Sequence, residues 1–342
     1  MVEQGTHKPL AGGSNPPSAT TPLPLDRLAA VVAHGTDGLP DDATLILAVS
    51  GGPDSTALLQ GAARLVAAGA RHWSLVVAHV DHRLRPDSGS DAARVAAMAS
   101  ALGLECTLHR ADVAATARAE HRSLEDAGRL VRYRFLEALA KPLGPAAFIA
   151  TAHTADDVAE TMLLRMARGS GLRGLRGIPA RRGRIIRPLL DVRRGVLRTA
   201  LDEAGIAYLL DPTNDDPTVA ARNLVRAEAL PALERLNPRA VEAFQRLAQL
   251  AADDDEALDA IAAAELTRRR TDGSIDWRRP PVRAIGRRVV RLAVGEPSPS
   301  AERVEAVLDA AEGQRGGLAI ELGRGRSASV QGRRITLNRA EY

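Results

Sequence analysis

Residues 47–59, LAVSGGPDSTALL, constrain this chain more than any other stretch. The apolar run ATLILAVS (43–50) reads as a buried strand, and STALLQGAARLVAAG (55–69) as a helix ended by Gly69. Between them, Ser50-Gly51-Gly52-Pro53 breaks the strand and sets a proline where a helix begins. The chain must turn sharply from strand end to helix start. Glycines let a backbone approach an anion closely, and the helix start offers free N–H groups at the positive end of its dipole. Ser50, Ser55 and Thr56 add hydroxyls, and Asp54 sets a carboxylate beside them. A tight glycine turn is often purely structural, yet this order of residues favours a phosphate cradle. It is not a Walker A loop, having no lysine nearby, nor a GxGxxG turn.

The pattern then alternates. Strands are expected at 73–80, 105–111 and 146–152, and helices at 88–102, 123–140 and 155–168. Such spacing suits parallel crossovers and predicts an α/β fold: an open parallel sheet with helices on both faces and the ligand beyond the carboxyl ends of the strands. Past residue 215 the pattern changes. Residues 217–230 and 238–268, interrupted by Pro231 and Pro238, and residues 301–312 read as helices. The end, GLAIELGRGRSASVQGRRITLNR, reads as short strands with glycine turns. The expected division is a disordered tail over 1–25, a nucleotide-binding domain over 26–215, and a smaller, mostly helical domain with a terminal β element over 216–342.

Composition narrows the classes. Aromatic residues are only 2%, so Ala, Leu and Val must build the core. Cys106 is the one cysteine, which excludes an internal disulfide or a thiolate-rich zinc site. No apolar run reaches membrane-spanning length, and the first residues lack the apolar core of a signal peptide, so a cytoplasmic protein with no membrane partner is expected. Net charge is +4, and Lys8 and Lys141 are the only lysines. Eleven arginines and one acid, Asp191, lie between Arg165 and Arg198. That block is either a solvated face or a surface for a polyanion.

The cradle resembles the PP-loop of ATP pyrophosphatases, which hold the pyrophosphate of ATP and transfer AMP. The resemblance extends to the tRNA(Ile)-lysidine synthetase family. AHVDHRLRPDSGSDA (78–92), LEDAGRLVRYRFL (124–136), TAHTADDVAETMLLRMARGSGLRGLRGI (151–178), IIRPLLDVRR (185–194) and DPTNDDPTVAARNLVRAEALPAL (211–233) are similar to its signatures, in order. Two departures stand out: Arg83 replaces the family's usual glycine, and Gly128 replaces a helical alanine.

The resemblance implies a ligase. ATP would adenylylate O2 of the wobble cytidine of tRNA(Ile) with a CAU anticodon. The ε-amine of L-lysine would then attack C2, releasing AMP and changing the codon read from AUG to AUA. Charge building on the phosphates calls for Mg²⁺, which takes carboxylate and phosphate oxygens; Asp54, Asp156 and Asp157 are the candidate ligands. Acids in a first helical turn also complement the dipole, so a purely structural role is the alternative. Ser50 to Thr56, with Gly51, Gly52 and Pro53, would hold the triphosphate, His153 would donate to a phosphate oxygen, and His79 would lie near the adenosine, as would its neighbour His82. Arg129 and Arg132, three apart on one helix face, would neutralise phosphate, with Glu125 orienting Arg129. Lysine's amine must lose a proton, and Asp157 or Glu160 would bind it and accept that proton.

For tRNA, Arg173 and Arg176 lie in a glycine-rich segment expected to be adaptable, and Arg222, Asn223 and Arg226 resemble the family's R-N-x-x-R contact. A homodimer is left open. Rival readings are another PP-loop tRNA-modifying nucleotidyl transferase, with sulfur transfer disfavoured by the single cysteine, and a non-catalytic tRNA- or nucleotide-binding protein.

Overall fold

The computed structural model of the protein describes residues 24–83, 88–210, 220–313 and 317–339. The expected tail therefore lies outside the described residues, except Pro24 and Leu25, which open a helix instead. Two compact units are present, Met1–Asp157 with Pro179–Asn214, and Val158–Ile178 with Asp215–Tyr342. The sequence suggested one cut near residue 215; residues 158–178 group with the second unit.

In the first unit the elements run α1 (Pro24–Gly35), β1 (Thr44–Ala48), α2 (Pro53–Ala67), β2 (Ser74–Asp81), α3 (Ser88–Ala101), β3 (Cys106–Arg110), α4 (Val113–Ala119), α5 (Leu124–Ala140) and β4 (Ala147–Thr151). Helix α6 (Ala155–Ala167) begins in this unit and α7 (Leu172–Leu175) belongs to the second. The first unit resumes with β5 (Arg181–Arg182), β6 (Ile185–Ile186) and α8 (Arg194–Glu203). The sheet order is β3-β2-β1-β4-β6-β5, parallel except where β5 and β6 form a hairpin.

The side-chain period of two explains why β1 after Thr44 and β4 before Thr151 are apolar on both faces. Leu45, Leu47, Phe148 and Ala150 enter one core with Leu58, Leu59, Leu197 and Leu201. Ile46, Ala147 and Ile149 enter another with Leu136 and Ala140. Both faces are thus covered by helices, as the pattern predicts. Leu124 opens α5 directly after the Ser123 cap and is 53% exposed.

Chain order reverses between β1, which leads to β2 and β3 on one side, and β4, which pairs on the other. A switch of this kind opens a crevice beyond the strand ends. The register Ala48↔Thr151 brings the chain after β1 and the chain after β4 to that same edge.

The second unit adds α9 (Ala221–Leu224), a π-helical turn (Val225–Ala229), α10 (Leu230–Leu236), α11 (Ala240–Arg269), β7 (Arg270–Thr271), β8 (Ser274–Asp276), α12 (Arg283–Val294), α13 (Ala301–Glu312), β9 (Leu318–Gly323), β10 (Arg326–Gln331) and β11 (Arg334–Arg339). Its antiparallel sheet has the order β7-β8-β11-β10-β9. Trp277, Val289, Val304, Leu308 and Ile335 form its core. Pro231 does not end a helix: helical backbone runs without a break from Ala221 to Leu236, with the π-helical turn, ending at Ala229, just before the proline.

Candidate functional site

The cradle after β1 is shaped from within. Gly51 has φ +90, and a Cβ there would come within 2.5 Å of Leu209 Cδ1 and 3.0 Å of Val95 Cγ2, so only glycine fits. Its carbonyl accepts from Leu209 N–H at 2.8 Å. Gly52 differs: its φ is −68, and a Cβ there would meet only Ser50 Oγ at 3.6 Å. The fold does not require glycine at 52, whereas close approach of a ligand would.

Ser55 and Thr56 depart from expectation. Ser55 is 5% exposed and its Oγ accepts from the Ser50 and Gly51 amides at 3.1 and 3.2 Å, while donating to Gly52 O at 3.0 Å. Thr56 is fully buried and donates to Gly51 O at 3.1 Å. Both hydroxyls hold the turn. Ser50, Gly52 and the start of α2, whose first amides have no acceptor within the helix, are the remaining candidates for anion contact.

Three acids reach this edge, each met by an arginine. Arg194 donates through Nε to Asp54 Oδ2 at 3.1 Å and through Nη2 to Asp157 Oδ1 at 3.0 Å. Asp156 accepts from the Arg194 amide at 2.8 Å and from Arg193 Nε at 3.2 Å. Asp157 Oδ2 accepts from the Thr154 amide at 2.7 Å and its hydroxyl at 3.0 Å, a capping arrangement that fixes the start of α6. A set of acids bridged by guanidinium does not fit a metal cage. Among the described residues, no group of three or more His, Cys, Asp or Glu is arranged to hold a metal ion. Arg193 and Arg194 were missed as site residues, although they end the IIRPLLDVRR segment.

The histidines are anchored by their neighbours. His79 is 6% exposed, and its Nδ1 lies 2.8 Å from Val49 O; a carbonyl only accepts, so Nδ1 carries the proton. His153 Nδ1 lies 2.9 Å from Thr151 Oγ1. His82 is pushed down to about 4 by burial, then by the charges of Arg132 and His79, against the pull of Asp81. Burial raises the Asp81 carboxyl, but the Arg83 amide, Ser88 and the charges of Arg83 and His79 outweigh it and hold it below its ordinary value. Arg132 Nη2 lies 3.5 Å from His82 Nε2. Arg129 does not pair with Glu125; its guanidinium lies over the Tyr133 ring, 5.0 Å from the centroid.

In the second unit, Glu160 is fully buried under two arginines. Arg222 Nε reaches it at 2.7 Å, and Arg226 reaches both oxygens at 2.8 and 3.2 Å. Arg226 lies in the π-helical turn, a distortion frequent at functional sites. Asn223, in α9, lies between the two arginines in sequence, and its backbone N–H donates to Ala220 O at 2.9 Å. Arg176 is held at 2.9 Å by the fully buried Asp255. Burial raises that carboxyl, but Arg288 and Arg176 outweigh it and keep it below the usual range. Arg173 pairs loosely with Glu296 at 3.6 Å, both exposed. The glycine-rich segment is built rather than adaptable: Arg165 clamps the Gly174 and Gly177 carbonyls at 3.1 and 2.8 Å.

Residues 26–233 match the PP-loop domain family. A tRNA(Ile)-lysidine synthase of Deinococcus deserti is 46% identical over 220 residues, covering 64% of this chain and 39% of the relative. One of Salinispora tropica is 42% identical over 259 residues, covering 74% of this chain and 75% of the relative. The chain thus spans 39% of the first relative's length. Among solved structures, the U34-tRNA thiolase NcsA from Methanococcus maripaludis matches with a TM-score of 0.52 at 16% identity, over 67% of this chain and 80% of that one. At that identity the likeness is one of fold.

Proposed function

The chain belongs to the tRNA(Ile)-lysidine synthase family, and from that premise we propose that it ligates L-lysine to C2 of the wobble cytidine of tRNA(Ile) with a CAU anticodon. In this reading cytidine O2 attacks the α-phosphorus of ATP and diphosphate leaves. The lysine ε-amine then adds at C2, AMP departs with O2, and the codon read changes from AUG to AUA.

The observation that carries the proposal is the cradle at the switch point, with Asp54 and Asp157 gathered on Arg194. Ser50, Gly52 and the start of α2 hold the diphosphate end of ATP. His153 donates to a phosphate oxygen as charge builds there. Asp157 takes the lysine ammonium and accepts its proton when its contact with Arg194 loosens. Glu160 is the second acid proposed for lysine; its own pairing suits it better to holding Arg222 and Arg226 as tRNA contacts. Arg194 supplies positive charge beside the acids.

The test supplies ATP, Mg²⁺, labelled lysine and tRNA with a CAU anticodon. Lysine incorporation with one AMP per lysine is expected, and its loss in Asp54→Asn. ATP–pyrophosphate exchange without incorporation would mean a different nucleophile or acceptor. ATP and tRNA binding with neither would leave a binding protein.

A further inference from the structure

We propose that Arg129, Arg182 and Arg187, grouped around Tyr133, form a second phosphate subsite at the carboxyl edge of the first unit's sheet, apart from the cradle after β1. The resemblance already implied that Arg129 neutralises phosphate; the subsite adds Arg182 and Arg187 to it on geometry and charge, so it and the ligase reading can fail separately.

Arg187 carries the argument. It is 3% exposed, and one nitrogen, Nη1, donates to Pro179 O at 2.5 Å. Its Nε is buried without a hydrogen-bond partner. A buried guanidinium with an unmet N–H is costly unless something completes it. The groups that act on it most are Tyr133, Arg182 and Arg129: a phenol that hydrogen-bonds to it and two more cations. Burial lowers the Arg187 pKa most, the two arginines lower it further, and Tyr133 opposes them.

Several other buried or half-buried arginines answer to acids, as Arg194 does to Asp54 and Asp157, Arg222 to Glu160 and Arg288 to Asp255, while Arg165 and Arg326 bond to carbonyls. Among the described residues, Arg129, Arg182 and Arg187 form no ion pair. Arg129 and Arg182 instead lie over the Tyr133 ring, 5.0 and 5.9 Å from its centroid. A guanidinium laid on an aromatic face keeps its N–H fork free at the rim, and that fork matches phosphate.

Placement agrees with charge. The register Ala150↔Ile186 puts Arg187 one residue beyond the end of β6, beside Thr151. Thr151 Oγ1 also lies 2.9 Å from His153 Nδ1. The cluster therefore opens on the edge where the nucleotide site is proposed, on the face covered by α5. The shared ligand chemistry is a phosphate group, and two sources present it: the triphosphate of ATP and the backbone of tRNA.

The experiment compares wild type with Arg182→Gln, an exposed position, and with Arg187→Gln. ATP binding is followed by calorimetry and tRNA binding by anisotropy across NaCl concentrations. If ATP fills the subsite, both variants lose about tenfold in ATP affinity, the scale of one charge-assisted hydrogen bond. If the tRNA backbone fills it, tRNA affinity falls about tenfold and the slope of log K against log salt shrinks by about one. Arg187→Gln alone could act by disturbing the fold, so Arg182→Gln decides. Unchanged ATP and tRNA binding in Arg182→Gln would overturn the subsite, whether or not lysine is still incorporated.

Discussion

His82 is a base held neutral by its surroundings: folded, it takes a proton only at about pH 4, against roughly 6.5 in an unfolded chain. Between those values the unfolded state binds the extra proton, so stability rises with pH across the window. His82's share is complete above about 6.5, falls as pH drops through the window, and levels off below about 4. Melting temperature should therefore fall from pH 7.5 to pH 5 more in wild type than in His82→Gln; equal falls would remove His82 as the cause. Two nearby residues bear on the same loop. Arg83 adopts φ +52, the left-handed region that favours glycine, so the backbone keeps the turn that a glycine would make and bears the strain. At Gly128 a Cβ would meet His82 Cε1 and Val113 Cγ1 at 3.7 Å, an ordinary contact; nothing in the structure explains the glycine.

Helix α1 owes its place to one small residue in α2. A Cβ on Gly61 would lie 2.7 Å from both Leu28 O and Val32 Cγ2, so the two helices meet at backbone distance there. Leu28, Ala29 and Val32 are buried through that approach. Gly61→Ala should push α1 outward and cost about 1–3 kcal/mol, the usual range for overpacking. Urea titration checks it, and an unshifted midpoint would show that α1 is not held there. This helix also marks where sequence reading stops. The strands β1 and β4 were legible because both their faces are apolar, and α5 and α6 because cap and period agree. Helix α8 has Arg193 at its cap, no capping hydroxyl and no acid in its first turn, so nothing local announces its start. The site divides in the same way. The residue types of the cradle were readable from their order, but the direction of the Ser55 hydroxyl was not, since it follows from the fold of the turn. The Arg194–Asp54 pair joins positions 140 residues apart, which no local pattern encodes.

Two cores with no residue in common give the whole molecule two reporters. The only tryptophans are Trp73 and Trp277, one in each unit. Trp73 is 3% exposed and donates to Pro40 O at 3.1 Å, within the core that carries β1 and α2. Trp277 is fully buried in the other core, where Gly286 leaves room for its ring and Arg269 lies 5.6 Å from the ring centroid. Trp277→Phe leaves fluorescence to the first unit, and Trp73→Phe leaves it to the second. A ligand that binds only the native state adds RT ln(1 + [L]/Kd), about 2.7 kcal/mol at a hundredfold excess over Kd. If the cradle after β1 is the ATP site, ATP should raise the urea midpoint read by Trp73. The midpoint read by Trp277 should stay where it was. Movement of the Trp277 signal alone would put the nucleotide in the second unit, and equal movement of both would mean that the two cores unfold as one.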